Sequence, residues 1–235
     1  MKVFNVDPKV FEALPTYCLG IVAARGIDNH AFSKAIEDFL NEEIQKFHEQ
    51  VSDQDIRELR NVKACRSAFQ KLGMNPNRFM CSIEALGRRV KKTPALPHIN
   101  SIVDIGNAFS LRYQLPMGAH DVDKWEGGLS VRFSEAGDHF QPMGEEQAEP
   151  VPEGELVYVS GRTVKTRRWI WRQSDDGKIT EDTSYAFFPI DGFSDVNLDQ
   201  VMEARDLLAK MLKAVFSCEP AVGFVDAQHP EFRLE

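Results

Sequence analysis

"INSIVDIGNAFSLRYQLPMGAHDVDKWEGGLSVRF", residues 99–133, changes its periodicity part-way along. Its first half sets Ile102, Val103, Ile105, Phe109 and Leu111 at helical spacings for burial. Its last five residues, "LSVRF", alternate with the period of two of a strand. Between them "PMGAHDVDKWEGG" crowds Pro, Met, His, Asp, Trp and Gly into one connection. Such residues bend the backbone and carry polar groups, so the connection reads as a structural corner or as the rim of a site. A helix entering a strand through a polar corner implies an α+β architecture.

Working outward supports that class. Upstream, "YCLGIVAA" (17–24) is a short apolar run closed by "RGIDN", a buried strand and its turn. In "NHAFSKAIEDFLNEEIQKFHEQV", Phe32, Ile36, Phe39, Leu40, Ile44, Phe47 and Val51 recur three and four apart, which predicts an amphipathic helix. A second helix is expected through "DIRELRNVKACRSAFQKLG", and a short third through "SIEALGRRVKK", capped by Ser82 and ended by Pro94. Downstream, "ELVYVSG", "TVKTRRWIWRQ" and "SYAFFPI" read as strands, with the acidic loop "GEEQAEPVPEGE" before the first of them. "LDQVMEARDLLAKMLKAVF" closes the chain's regular structure as a helix. The expectation is one α+β domain over residues 1–235, with a mixed or largely antiparallel sheet flanked by helices.

Composition narrows the function classes. The formal net charge is −8, so any nucleic-acid contact must use a local basic patch on an acidic body. Four scattered cysteines without a CxxC pair read as reduced, buried thiols, and with no secretory signal they suggest a cytoplasmic location. No run approaches the roughly 18 apolar residues that span a bilayer, so no membrane partner is expected. Nucleophile-elbow, P-loop, zincin and dinucleotide signatures are absent. His120, Asp121 and Asp123 come nearest to a ligand set but read as a turn, so neither a metal nor a cofactor is expected.

Two patterns carry more information. Asn100, Asp104 and Asn107 stack short polar side chains on one helix face, which suggests a buried hydrogen-bond network holding the 116–128 connection. In "KTRRWIWRQS" (165–174), strand alternation would put Arg168, Ile170 and Arg172 on one side and Arg167, Trp169, Trp171 and Gln173 on the other. Arginine beside aromatic rings suits phosphate contact with base stacking; a tryptophan core with solvated or ion-paired arginines is the alternative.

From about residue 79 to 192 the sequence resembles the editing module of the bacterial phenylalanyl-tRNA synthetase beta subunit. The resemblance rests on Arg88 and Arg89, on Val103-Asp104 with Asn107, on Pro116-Met117 with Asp121, and on Glu126-Gly127-Gly128. The first 77 residues look like free-standing relatives of that module. It implies a pocket that receives a misattached amino acid on a tRNA 3′ end and hydrolyses the ester with a positioned water. The chain departs from the family pattern at Gly118, where the family has His, and His120 stands two residues later. The family's pocket glutamate falls near Pro189 or Ile190, and "RRWIWRQS" replaces a Gly-rich wall. The pocket should therefore be narrower and suited to something other than tyrosine.

His120, the only histidine in the connection and two positions from the lost family histidine, and Gln173, which strand alternation puts on the face of Trp171, are the expected catalytic residues, with only Gln173 of the pair Arg172–Gln173 facing the pocket. Asn107, Gly118 and Trp171 are the expected pocket residues, and the dense basic stretches supply Arg88, Arg89, Arg168 and Arg172 as the expected tRNA contacts. The partner is then an aminoacyl-tRNA or its 3′ end and the activity trans-acting deacylation. The alternatives are a noncatalytic binder of tRNA or of an amino-acid-like ligand, and an acidic protein-interaction domain.

Overall fold

A computed structural model describes residues 2–31 and 33–234; Phe32, expected in the first long helix, lies outside the described residues. The chain opens with β1 (Lys2–Val6), α1 (Pro8–Ala13), β2 (Tyr17–Arg25), α2 (Lys34–Val51), α3 (Arg60–Lys71), α4 (Ser82–Lys92) and α5 (Ser101–Tyr113). Short β3 (His120–Asp121) is followed by β4 (Gly128–Phe133), β5 (His139–Phe140), β6 (Glu149–Pro150), β7 (Leu156–Ser160), β8 (Thr163–Arg167) and β9 (Arg172–Gln173). The chain ends with β10 (Tyr185–Phe193), α6 (Leu198–Phe216), β11 (Ala221–Val225) and β12 (Glu231–Leu234).

The strands form two sheets. One runs β12-β1-β4-β7-β8-β5-β6 with β9 beside β8; the other runs β11-β2-β10-β3. The first is mixed, since β1 pairs parallel with β4 and β5 parallel with β8, while its other pairs are antiparallel. This is the expected α+β class with a mixed sheet flanked by helices.

β2 and β10 are buried along nearly their whole length, and each of their faces meets a different core. Leu19, Ile21, Phe187 and Phe193 join a core shared with the larger sheet and α2–α4. Val22, Phe188 and Ile190 face the opposite way, into a core shared with α5 and α6. Strands buried on both faces need apolar residues at every position, and this is why "YCLGIVAA" and "YAFFPI" read as continuous runs.

The helices match expectation with local adjustments. The second expected helix divides, because the Asp55 side chain accepts the Arg57 N–H (2.9 Å) and caps a separate 3₁₀ turn, Ile56–Glu58. Ser82 begins α4 but does not cap it: Cys81 holds the cap position, and the Ser82 N–H donates to the Ile170 carbonyl (2.8 Å). β1, β11 and β12 were not expected; β1 finds its parallel partner, β4, more than a hundred residues downstream.

The helix α6 approaches its sheet closely over Gly20 and Gly192. A Cβ on Gly192 would collide with Val201 Cγ2 and stand 2.8 Å from Asn197 Oδ1. Gly106, mid-way along α5, is the opposite case: nothing lies within 4 Å of its would-be Cβ. Gly192→Ala should therefore cost about 1–3 kcal/mol through overpacking. Gly106→Ala should gain about 0.5–1 kcal/mol through helix propensity. Urea midpoints moving in opposite directions for the two variants, at unchanged slope, would bear this out.

Candidate functional site

The space between the two sheets contains an ionisable group. Asp191, on β10, faces the larger sheet, and its Oδ1 accepts three hydrogen bonds. These come from Tyr17 Oη on β2 (2.6 Å), Tyr158 Oη on β7 (2.8 Å) and Trp169 Nε1 (2.9 Å). Burial lifts the carboxyl to about 6 against these three stabilising bonds. The two tyrosine hydroxyls are pushed well above 10, first by burial and then by the Asp191 charge, so both remain donors.

Trp169 reaches this carboxyl because the expected strand breaks. β8 ends at Arg167; Arg168 and Trp169 take left-handed backbone conformations, with φ of 50° and 61°. Left-handed conformations in side-chain-bearing residues cost of order 1–3 kcal/mol each and need surrounding structure to hold them. Here the Trp169 N–H donates to the Leu156 carbonyl, and its ring packs on Tyr17, Phe69 and Phe193 with centroids 5.3, 5.9 and 6.0 Å away. The chain then returns antiparallel as β9, pairing Arg172 with Arg167 and Gln173 with Thr166. The alternation expected along 167–173 is thus wrong, because the segment is a hairpin and not one strand.

A cavity of about 110 Å³ opens beside the carboxyl, lined among others by Asp191, Tyr158, His120, Thr166, Trp171 and Gln173. Met117, Gly118 and Gln173 separate it from a wider groove of about 460 Å³, which Asn107 lines. The connection 116–128 forms this rim and is also a corner. Its Pro116 carbonyl accepts the Asp191 N–H (3.1 Å), and β3 adds to the edge of β10. Gly128 must be glycine, since a Cβ there would collide with the Val3 carbonyl of β1. Asp104 does not hold this connection. It takes the Ile99 N–H (3.2 Å) and pairs with His98, so it fastens the entry to α5; Asn100 caps the same helix through the Val103 N–H (3.0 Å).

The structure thus gathers His120, Gly118, Trp171, Arg172 and Gln173 around one cavity, with Asn107 in the adjoining groove. His120 is buried, stacks on Tyr158 at 5.6 Å, and its Nδ1 has no hydrogen-bond partner. Burial, helped by Lys165, holds its pKa down to about 3, so the imidazole stays neutral. Gln173 donates to the Ala119 carbonyl (2.7 Å), pinning the rim to the hairpin. Arg172 lines the cavity together with Gln173, contrary to the expectation that only one of the two would.

The other arginines lie elsewhere. Arg168 stacks between Phe79 (4.0 Å) and Trp171 (4.9 Å) and pairs with Glu155 (3.3 Å), so its guanidinium is committed internally. Arg88 pairs with the buried Glu84 (2.7 Å) and lines a separate shallow groove with Lys91 and Lys92. Arg89 is exposed on α4, away from the cavity lining. Arg172 rests on the Trp171 ring at 5.1 Å and, like Arg89, has no carboxylate partner among the described residues.

Residues 64–216, most of the chain, match the B3/4 domain, a module of the phenylalanyl-tRNA synthetase beta subunit. The chain belongs to the B3/4 domain family. Among solved structures it is similar to an N-terminal fragment of the phenylalanyl-tRNA synthetase beta subunit from Pyrococcus horikoshii, at 14% identity and a TM-score of 0.46. That match covers 92% of this chain and 49% of the other, so the chain spans about half the length of that fragment. Comparison with curated proteins gave no match.

In this B3/4 domain the centre of the site is Asp191, with Tyr17, Tyr158 and Trp169, and the sequence reading missed it. A signal was present: "YAFFPIDGF" carries one acid in a nine-residue run that is otherwise apolar, Gly or Pro. The two buried titrating groups have opposite linkage. Asp191 is raised from 3.8 to about 6, so its contribution to stability is present at low pH and is lost as pH rises through that interval. His120 is lowered from 6.5 to about 3, so its contribution is present above 6.5 and is lost as pH falls. Relative to wild type, Asp191→Asn should lose stability on acidification between about pH 6 and about pH 4, and His120→Gln should gain it. Urea unfolding across that range tests both signs.

Proposed function

We propose that this B3/4 domain binds the aminoacylated 3′ end of a tRNA and hydrolyses its ester with a water held in the Asp191 cavity. The observation that carries this reading is a small, half-open cavity that joins a buried acid of near-neutral pKa to an exposed Arg172 with no carboxylate partner among the described residues. Membership of a tRNA-synthetase-related family supports a tRNA ligand, and the acid beside the cavity supports the hydrolytic reading.

In the proposed step the water oxygen bonds to the ester carbonyl carbon while its proton passes to Asp191. The bond from that carbon to the ribose oxygen then breaks, and the ribose oxygen takes up the proton, leaving a free amino acid and a free tRNA end. An acid titrating near 6 is mostly ionised at neutral pH yet still basic enough to accept a proton. Its Oδ1 is saturated by three donors, so Oδ2 is the acceptor in this scheme. His120, held neutral, orients the water by hydrogen bonding and is too weak a base to remove its proton. Gln173 fixes the rim through Ala119, and Trp171 and Gly118 bound the pocket.

Arg172 and Arg89 are the proposed phosphate contacts; Arg168 is committed to the aromatic stack, and Arg88 to its ion pair with Glu84 on α4. A binding-only role is the second reading. It is favoured by the depressed basicity of His120 and by the saturation of Asp191 Oδ1.

A panel of tRNAs charged with different amino acids tests both. Hydrolysis of at least one ester is expected, with kcat at least about tenfold lower in Asp191→Asn and KM little changed. Arg172→Ala should weaken tRNA binding and reduce its salt slope by about one. tRNA binding without cleavage of any ester would favour the binding module, and absence of both would overturn the assignment.

A further inference from the structure

β12 and β6 end the larger sheet, and β11 and β3 end the smaller one. A strand at a sheet edge offers unpaired backbone groups to any other chain, and proteins blunt such edges with proline, extreme shortness or a covering side chain. β6 is two residues long and contains Pro150; β3 is equally short, and its Asp121 N–H is already bonded to the Gly177 carbonyl (3.2 Å). On β11 the Gly223 carbonyl is taken by Arg205 of α6 (3.4 Å). β12, Glu231–Leu234, has no such cover among the described residues, and its two charged side chains are of opposite sign.

The register fixes which backbone groups of β12 are free. The Val6 N–H donates to the Pro230 carbonyl (2.9 Å), while the next N–H, of Asp7, donates to the Val131 carbonyl of β4 (2.9 Å). Even-numbered residues of β1 therefore turn their backbone groups toward β12. Bonded and unbonded pairs alternate along an antiparallel ladder, so Phe232 opposite Phe4 and Leu234 opposite Lys2 direct their N–H and C=O groups at β1. Those of Glu231 and Arg233 point outward, with no backbone partner among the described residues. The side chains divide the other way. Phe232 lies against Gly223 of β11, while Glu231 and Arg233, 46% and 68% exposed, share the opposite face and bond to each other at 2.8 Å.

We propose that β12 pairs antiparallel with β12 of a second copy of this chain, about a two-fold axis through Phe232, so that the larger sheet runs on from one molecule into the other. This pairing sets Glu231 opposite Arg233 of the second copy, and Arg233 opposite its Glu231. Both are positions whose backbone groups point outward, so each becomes a hydrogen-bonded pair, and each carries an ion pair across the strands. The two Phe232 residues meet at the axis as an unbonded pair, with Cα atoms about 4.5 Å apart. Moving the register by two residues would set Arg233 against Arg233 or Glu231 against Glu231, so the charges select this alignment. β12 stands three strands from β7, the first strand of its sheet to line the Asp191 cavity, a span of about 14 Å. Pairing therefore leaves both cavities open, and the proposal does not depend on what they bind.

Sedimentation velocity of the whole protein over a range of concentrations tests this. A four-residue strand pair is a small interface, so the mass should rise toward that of a dimer with a dissociation constant on the order of 10–100 μM. Arg233→Glu alone and Glu231→Arg alone should each weaken the dimer at least about tenfold, because each sets like charges opposite one another. Both side chains are exposed, so neither variant should alter the melting curve measured on the dilute monomer. Mixed in equal amounts, the two variants should dimerise as the wild type does, since each supplies the charge that the other lacks. A wild type that stays monomeric throughout would overturn the proposal and leave this edge to a different partner. A dimer that survives both single variants, or a mixture that stays monomeric, would overturn it as well.

Discussion

The Asp191 carboxyl, buried between two sheets and held by three donors from three separate segments, is the constraint on which the rest of the structure depends. Tyr17 brings β2, Tyr158 brings β7 of the other sheet, and Trp169 brings the hairpin after β8. A buried carboxylate without partners is far costlier than the hydrogen bonds it makes are stabilising, so each donor must be kept in place. That requirement accounts for the left-handed backbone at Arg168 and Trp169, which turns the indole inward and ends the strand. The same turn leaves Trp171, Arg172 and Gln173 on the cavity wall.

Elements whose burial is settled by their own periodicity were legible in the sequence. α4 and α6 fall on the expected residues, and β2 and β10 follow from their unbroken apolar runs. What was not legible depended on distant partners. β1 has an ordinary sequence and becomes a strand because β4 and β12 flank it, more than a hundred residues away. The 167–173 segment alternates well enough for a strand, but the Trp169 indole bonds to Asp191 and packs on Tyr17, Phe69 and Phe193, and the chain turns back as a hairpin.

The site was legible in part for the same reason. His120, Gly118, Trp171 and Gln173 meet at one cavity because the polar corner and the Trp-rich segment are both edges of the space above β10. Arg168 reads as a surface cation in one dimension, but in three it is stacked between Phe79 and Trp171. Asp191 was hidden inside a run that looks apolar. Its two tyrosine partners lie on strands 174 and 33 residues away in sequence, which no local pattern announces. The family match places the chain among B3/4 domains, while the acid at its centre follows from the packing of these particular strands.

The most direct test of this account is the titration of Asp191 itself, followed through its side-chain carboxyl carbon by NMR with Asp191→Asn to assign the signal. The account predicts a midpoint near 6 in the folded protein, moving when Tyr158→Phe or Trp169→Phe removes a donor. A midpoint at the ordinary aspartate value near 3.8, indifferent to both substitutions, would contradict it.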